Sequence, residues 1–245
     1  MRVFNQPAYV LISRPYSETS SIVEVFSRDY GRLGLMAKGA KRLKSKTKGV
    51  LQPFQPILVS WTGKGEVPTL TGAEIDLSHI DLFDFELKGD RLVCGFYCNE
   101  LLVRSIHRYD AHSRLFDVYN ETILELNNAK SSRSLADLLR FFEHSLIKEA
   151  GYEVDFLSEA AGKKLIDDDA FYCFQSGVGF VRVNQGASNS FQGKVIKSLH
   201  GSNYLSTDLE LVGPAKQLMR DVLSKSVGYK EITSRNLFLT RQGLE

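Results

Sequence analysis

The chain has 245 residues, 43% of them apolar, with 31 Lys plus Arg against 29 Asp plus Glu. That balance excludes a disordered polyelectrolyte and a bundle of membrane spans, and it suits one large or two small globular domains. The near-neutral total hides a segregation: residues 1–80 hold 11 Lys plus Arg against 6 Asp plus Glu, a net +5, and the remainder 20 against 23, a net −3. A basic N-terminal third points to an anionic partner for that third, nucleic acid ahead of a membrane surface.

The opening "MRVFNQPAYVLISRPYSE" lacks the apolar core of a secretory signal, and no stretch approaches the roughly 18 apolar residues of a membrane span. A cytoplasmic location is expected. Cys94, Cys98 and Cys173 are too few for a disulfide framework or a four-thiolate zinc site.

Residues 8–76 read as five strands, "AYVLISR", "SIVEVFSR", "LGLMAKG", "PILVSWT" and "PTLTGAEI", rich in β-branched and aromatic residues and separated by Ser, Gly, Pro and charged clusters. Five short strands suit a small closed barrel, because closure removes exposed edges. An OB-type barrel is the first choice and an SH3-like barrel the second. Between the third and fourth strands lies "KGAKRLKSKTKG", with Lys38, Lys41, Arg42, Lys44, Lys46 and Lys48 and no acidic residue. Such a connection is either a solvated loop or a track for a phosphate backbone. In the second case Tyr16, Phe26, Phe54 and Trp61 are candidate base-stackers, Tyr16 and Trp61 being the better surface choices for their polar tips, and core packing is the competing role of all four. Six phosphate contacts on a single strand would give a log–log salt slope of about −4, at roughly −0.7 each.

From about residue 84 the period becomes helical. "GDRLVCGFYCNELLVRSIH" is a predicted helix in which Cys94 and Cys98 could share a face as metal ligands or fill a helix contact as small core residues. In "HSRLFDVYNETILELNNA", Leu115, Val118, Tyr119, Thr122, Ile123 and Leu126 form a stripe. "SLADLLRFFEHSLIKEAGY" starts from Ser134 as N-cap, with Asp137 three residues on, and stops at Gly151. "AFYCFQSGVGFVRVN" is a predicted hairpin turning at Gly177 and Gly179, and "LELVGPAKQLMRDVLSKSVGY" a helix with Pro214 near its start and Gly228 as C-cap. His79, His107, His112, His144 and His200 show no ligand spacing, so no metal, cofactor or catalytic residue is expected. Asp167, Asp168 and Asp169 are a candidate carboxylate cluster for metal-assisted phosphodiester chemistry, although three adjacent residues in a polar loop cannot all face one site.

These residues resemble a known family. "R-x-x-S-E-T-S", "G-R-x-x-L-x-A-K-G-A" and "L-Q-P-F", in that order, with "NELLVRSI" and "GYEVDFL" further on, are similar to the RecO recombination mediator and DNA repair family over most of the chain. The resemblance implies an α+β protein: an N-terminal five-stranded OB-fold β-barrel over 1–80, then a mainly α-helical domain over 81–245 carrying a small β element at about 152–205. It implies binding of single- and double-stranded DNA, annealing of complementary strands coated with the single-strand binding protein SSB, and action with RecR in loading RecA, near the nucleoid and without nucleotide hydrolysis. DNA contacts would fall on Arg14, Lys38, Lys41, Arg42, Lys44, Lys46, Lys48 and Lys64.

For the acidic C-terminal tail of SSB, the resemblance implies a cation beside an apolar surface on the helical domain. Arg140, flanked by Leu139 and Phe141, is the candidate; its plain reading is an exposed helix arginine. Many members carry a four-cysteine zinc module, but here the corresponding positions fall near Ser158, Ala161, Arg182 and Gln185. None is a zinc ligand, so the element is expected to lack zinc and to hold by packing alone. The rival readings are a generic OB-type nucleic-acid module without mediator activity, and a nuclease or phosphotransferase built on the three aspartates.

Overall fold

A computed structural model of the chain describes residues 1–42, 45, 47, 49–76, 78, 85–161, 164–200, 209–228 and 232–234. Strands β1 (Arg2–Pro15), β2 (Ser21–Ser27), β3 (Gly31–Ala37), β4 (Pro56–Thr62) and β5 (Thr69–Ile75) close into a barrel in the order β1-β2-β3-β5-β4. All neighbours are antiparallel except β3 and β5, which meet in parallel at Met36 and Thr69. This is the OB arrangement. Alternation along each strand sends Ala8, Val10, Val23, Val25, Leu33, Leu35, Ile57, Val59 and Trp61 inward as one core.

β1 starts six residues before the predicted strand. Its first half pairs with β4, from Arg2 opposite Thr62 to Tyr9 opposite Pro56, across an irregularity between Val3 and Gln6. There Asn5 takes φ 48°, and its N–H donates to Ser60 Oγ at 3.0 Å. The irregularity lets a strand containing Pro7 continue.

Tyr9, Leu11 and Phe26 alternate to the outer face yet are also buried. Helices α1 (Asp90–Ser105) and α2 (Ser113–Asn128) supply the cover. Tyr9 meets Tyr119 edge-on at 5.0 Å and Phe116 at 5.7 Å, and Phe26 lies 5.5 Å from Phe116. Each such pair contributes about 0.5–1.5 kcal/mol beyond its buried area. Buried Asn99 is satisfied on both sides, donating to the Leu11 carbonyl at 3.0 Å and accepting from the Tyr119 hydroxyl. Cys94 and Cys98 are buried on α1, as core residues. Contacts group Met1–Asn128 and Ser234 in one unit and Ala129–Thr233 in another.

The second unit contains α3 (Ser132–Glu149), β6 (Phe171–Gln175), β7 (Gly179–Val183), β8 (Phe191–Gln192), α4 (Gly193–Lys197) and α5 (Leu209–Val227), with the strands in the order β7-β6-β8. The N-cap of α3 is Ser131, not Ser134: Ser131 is extended and its Oγ accepts from the Ser134 N–H at 3.1 Å. Leu135, Phe142 and Leu146 are buried on α3, as are Leu218, Met219, Val222 and Leu223 on α5. The β6–β7 turn uses Gly177 at φ 73° and Gly179 at φ 112°, and α5 ends at Gly228, φ 78°, whose N–H reaches the Ser224 carbonyl.

The β element does not hold by packing alone. The Tyr172 hydroxyl donates to Glu159 Oε1 and accepts from the Asp167 N–H, both at 2.9 Å. Arg182 Nη1 lies 3.7 Å from Glu159 and its Nη2 3.4 Å from Asp167. Arg182 thus joins a polar cluster tying β7 to the 159–167 segment.

Candidate nucleic-acid interface

Three connections widely separated in sequence meet at one rim of the barrel. Ser21 pairs with Ala37, which sets the β1–β2 hairpin tip beside the exit of β3, and Met36 pairs with Thr69, which sets the β4–β5 loop against the same exit. The Met36 N–H donates to the Pro68 carbonyl at 2.8 Å, and the Lys41 N–H to the Thr19 carbonyl at 3.0 Å. Arg14, Lys38, Lys41, Arg42 and Lys64 are all exposed there, with Glu18 and Glu66 as the acidic members of the loops. Lys44, Lys46 and Lys48 lie outside the described residues.

The connection is anchored in the fold. Arg42 folds back along Gly39, which has φ +70°, and Thr47 accepts from the N–H groups of Val50 and Leu51. Leu51 is part of the barrel core. The Lys41 ammonium donates to the Ser17 carbonyl at 2.7 Å, so one of the six cations of the run also holds the neighbouring hairpin.

Of the candidate stackers, Tyr16 is 64% exposed at this rim. Trp61 is not on the surface: it shares the inward phase of Ile57 and Val59, is 2% exposed, and meets Tyr30 edge-on at 5.1 Å. Its position in the alternation outweighs its polar tip. Phe26 lies beneath α2, and Phe54 is buried against Phe96 of α1 at 5.0 Å.

The outer face of β2 and β3 is covered by the connection between α1 and α2. Glu24 accepts from Arg32 Nη1 at 2.6 Å and from Arg108 Nη2 at 2.6 Å, while Arg32 Nε donates to the Ile106 carbonyl. The Tyr109 N–H donates to the Arg32 carbonyl at 2.9 Å, and its hydroxyl reaches the Glu66 carbonyl at 2.7 Å, which ties the β4–β5 loop to the same cover. Sequence reasoning missed this segment, because nothing local marks a loop that docks on a distant strand.

On α3, Arg140 is not an exposed helix arginine. It is 7% exposed, and its Nη2 donates to Glu143 Oε1 at 2.6 Å, Glu143 being fully buried; Leu139 and Phe141 are half-buried. Two of the three aspartates diverge: Asp167 faces Arg182, whereas Asp168 pairs with Lys197 at 2.8 Å. Among the described residues no group of three or more His, Cys, Asp or Glu could hold a metal, and no helix is long and apolar enough to cross a membrane.

Compared with known proteins, residues 1–78 match the family model described as Recombination protein O N terminal, and residues 86–213 the one described as Recombination protein O C terminal. The chain is 40% identical over 245 residues to the DNA repair protein RecO of Dechloromonas aromatica (strain RCB), covering 99% of this chain and 98% of the relative. It is 41% identical over 243 residues to that of Polynucleobacter necessarius subsp. necessarius (strain STIR1), covering 98% and 97%. With that of Nitrosococcus oceani it shares 41% over 241 residues, covering 97% and 93%.

Proposed function

We propose, since the chain belongs to the RecO family of DNA repair proteins, that it serves DNA repair and recombination as a non-enzymatic mediator. Its barrel rim binds single- and double-stranded DNA through Arg14, Lys38, Lys41, Arg42, Lys44, Lys46, Lys48 and Lys64. Neutralising phosphates lowers the repulsion between two strands, so a cationic rim without any catalytic group can bring complementary SSB-coated strands together. With RecR it would then favour RecA loading, in the cytoplasm at the nucleoid. The observation that supports this reading is the convergence of exposed cations from three connections on one rim.

For the SSB tail the proposed anchor is Leu139, Arg140 and Phe141. Arg140 already holds Glu143, so a tail carboxylate would have to share that guanidinium.

The test is annealing of two complementary SSB-coated oligonucleotides without nucleotide, comparing the wild type with Lys38, Arg42, Lys44 and Lys46 all changed to Glu. Annealing by the wild type alone supports the reading; equal annealing by both moves the DNA site elsewhere. Annealing by neither favours the second reading, a generic OB-type binding module. The divergence of Asp167 and Asp168 toward separate cations argues against a nuclease site there.

A further inference from the structure

OB barrels bind oligonucleotides on the face of strands 2 and 3 and on the flanking loops. In this chain that face offers no aromatic platform. Its outward residues are Ile22, Glu24, Arg32, Gly34 and Met36, Phe26 being buried under α2, and Glu24 holds both Arg32 and Arg108 beneath the 106–110 segment. A base that stacks on the barrel must therefore do so outside that face.

Among the described residues, the exposed aromatics of this unit are Phe4, Tyr16 and Tyr109. The Phe4 ring already has the Arg2 guanidinium 5.6 Å from its centroid, and the Tyr109 hydroxyl is engaged by Glu66. Tyr16 sits on a hairpin tip with a fixed backbone. The N–H groups of Tyr16 and Ser17 both donate to the Ser20 carbonyl, at 3.0 and 3.2 Å, and the Ser20 N–H returns to Ser17 Oγ at 3.2 Å. Lys41 then clamps the tip from the basic connection, through its N–H to Thr19 and its ammonium to Ser17. An exposed ring on an immobilised backbone among phosphate-binding cations loses little freedom when a base lands on it.

We propose that Tyr16 is a base-stacking residue, positioned by Lys41, and that it gives the rim a preference for single-stranded over double-stranded DNA. The inference rests on the DNA-binding reading above and adds to it a discriminating group. A duplex offers phosphates to the cations but keeps its bases stacked on one another, so only a single strand can use the ring. Lys41 acts through the hairpin as a positioning residue.

The experiment measures fluorescence anisotropy of a labelled oligonucleotide, single-stranded and annealed to its complement, with the full chain at one salt concentration. Tyr16→Ala weakens single-strand binding by about 5- to 100-fold and leaves duplex binding within about 2-fold. Tyr16→Phe, which keeps the ring, retains single-strand affinity, and Tyr152→Ala, at an exposed tyrosine of the other unit, changes neither. Lys41→Met lowers single-strand affinity more in the wild type than when Tyr16 is already Ala, where only its own phosphate contact is left to lose, and that excess is absent on the duplex. Unchanged single-strand binding by Tyr16→Ala, an equal loss on both substrates, or a Tyr16→Phe loss matching that of Ala each overturns the proposal. If the wild type binds neither substrate, the DNA-binding reading itself fails; if it binds both and Tyr16→Ala behaves as the wild type, this inference alone falls.

Discussion

A Cβ on Gly31 would lie 1.8 Å from the carbonyl oxygen of Asp110, and Gly31 holds φ +65°. Only glycine lets the α1–α2 connection rest against the start of β3. Gly31→Ala is expected to destabilise the protein by about 2–4 kcal/mol in urea unfolding, from steric displacement plus backbone strain. Gly34→Ala is the control: its new Cβ would meet nothing nearer than 3.6 Å, and it should cost under about 1 kcal/mol.

Removing Arg140 alone takes a guanidinium at 2.6 Å away from the fully buried Glu143. Arg140→Ala should cost about 3–5 kcal/mol, and a paired change of Arg140 and Glu143 to Met should recover most of that. Calorimetric melting of the three proteins checks it. Tail binding by the paired variant then separates recognition from stability, which Arg140→Ala by itself cannot do.

The salt dependence of single-strand binding should show a log–log slope of about −4 from the six cations of the 38–48 run alone, steepening toward about −5.6 when Arg14 and Lys64 also meet phosphates. Changing Lys38 or Arg42 to Gln should flatten it by roughly 0.7 each, and Tyr16→Ala should shift the line without changing its slope.

Two buried sites should respond to opposite ends of the pH scale. Burial, reinforced by Lys148 and then His200, pushes the His144 imidazole below its ordinary value. The unfolded chain therefore takes up that proton first, so the contribution is complete above about pH 6.5 and is lost as pH falls below it. Burial also holds the Tyr9 and Tyr119 hydroxyls well above the usual range, with Asp76 adding at Tyr9, and Tyr9 and then Cys98 adding at Tyr119. Their contribution is complete below about pH 10 and is lost as pH rises past it. His144→Phe should flatten the acid limb of stability against pH and leave the alkaline limb unchanged.

The β element of the second unit should be indifferent to chelators, since Arg182, Glu159, Asp167 and Tyr172 form the cross-link there. Tyr172→Phe takes the acceptor from the Asp167 N–H and the donor from Glu159, and should lower stability by about 1–2 kcal/mol. Melting with and without a strong zinc chelator, for wild type and variant, tests both statements.

Where structure follows from neighbours in the chain, the sequence was readable. Five strands, four long helices and the Gly177–Gly179 hairpin all follow from period and punctuation. Trp61 was misjudged because its chemistry was weighed above its phase, although Ile57, Val59 and Trp61 already share one. Around α3, Ser131, Ser132 and Ser134 are chemically equivalent as caps, and only backbone conformation selects Ser131. The six cations of the rim's central connection were visible as a run, but its meeting with the hairpin and Lys64 was not. That meeting depends on Ser21 facing Ala37 and Met36 facing Thr69, pairings between strands that no local window contains.

The burial of Trp61 makes the barrel its own optical reporter. It is the chain's single tryptophan, enclosed by the barrel core with Tyr30 edge-on. Emission excited at the indole band therefore follows the opening of that one core, while the melting of α3, α5 and the small sheet passes unseen by it. A fluorescence transition set beside a far-ultraviolet dichroism transition in the same denaturant series resolves the two halves of the chain without a label or a truncation.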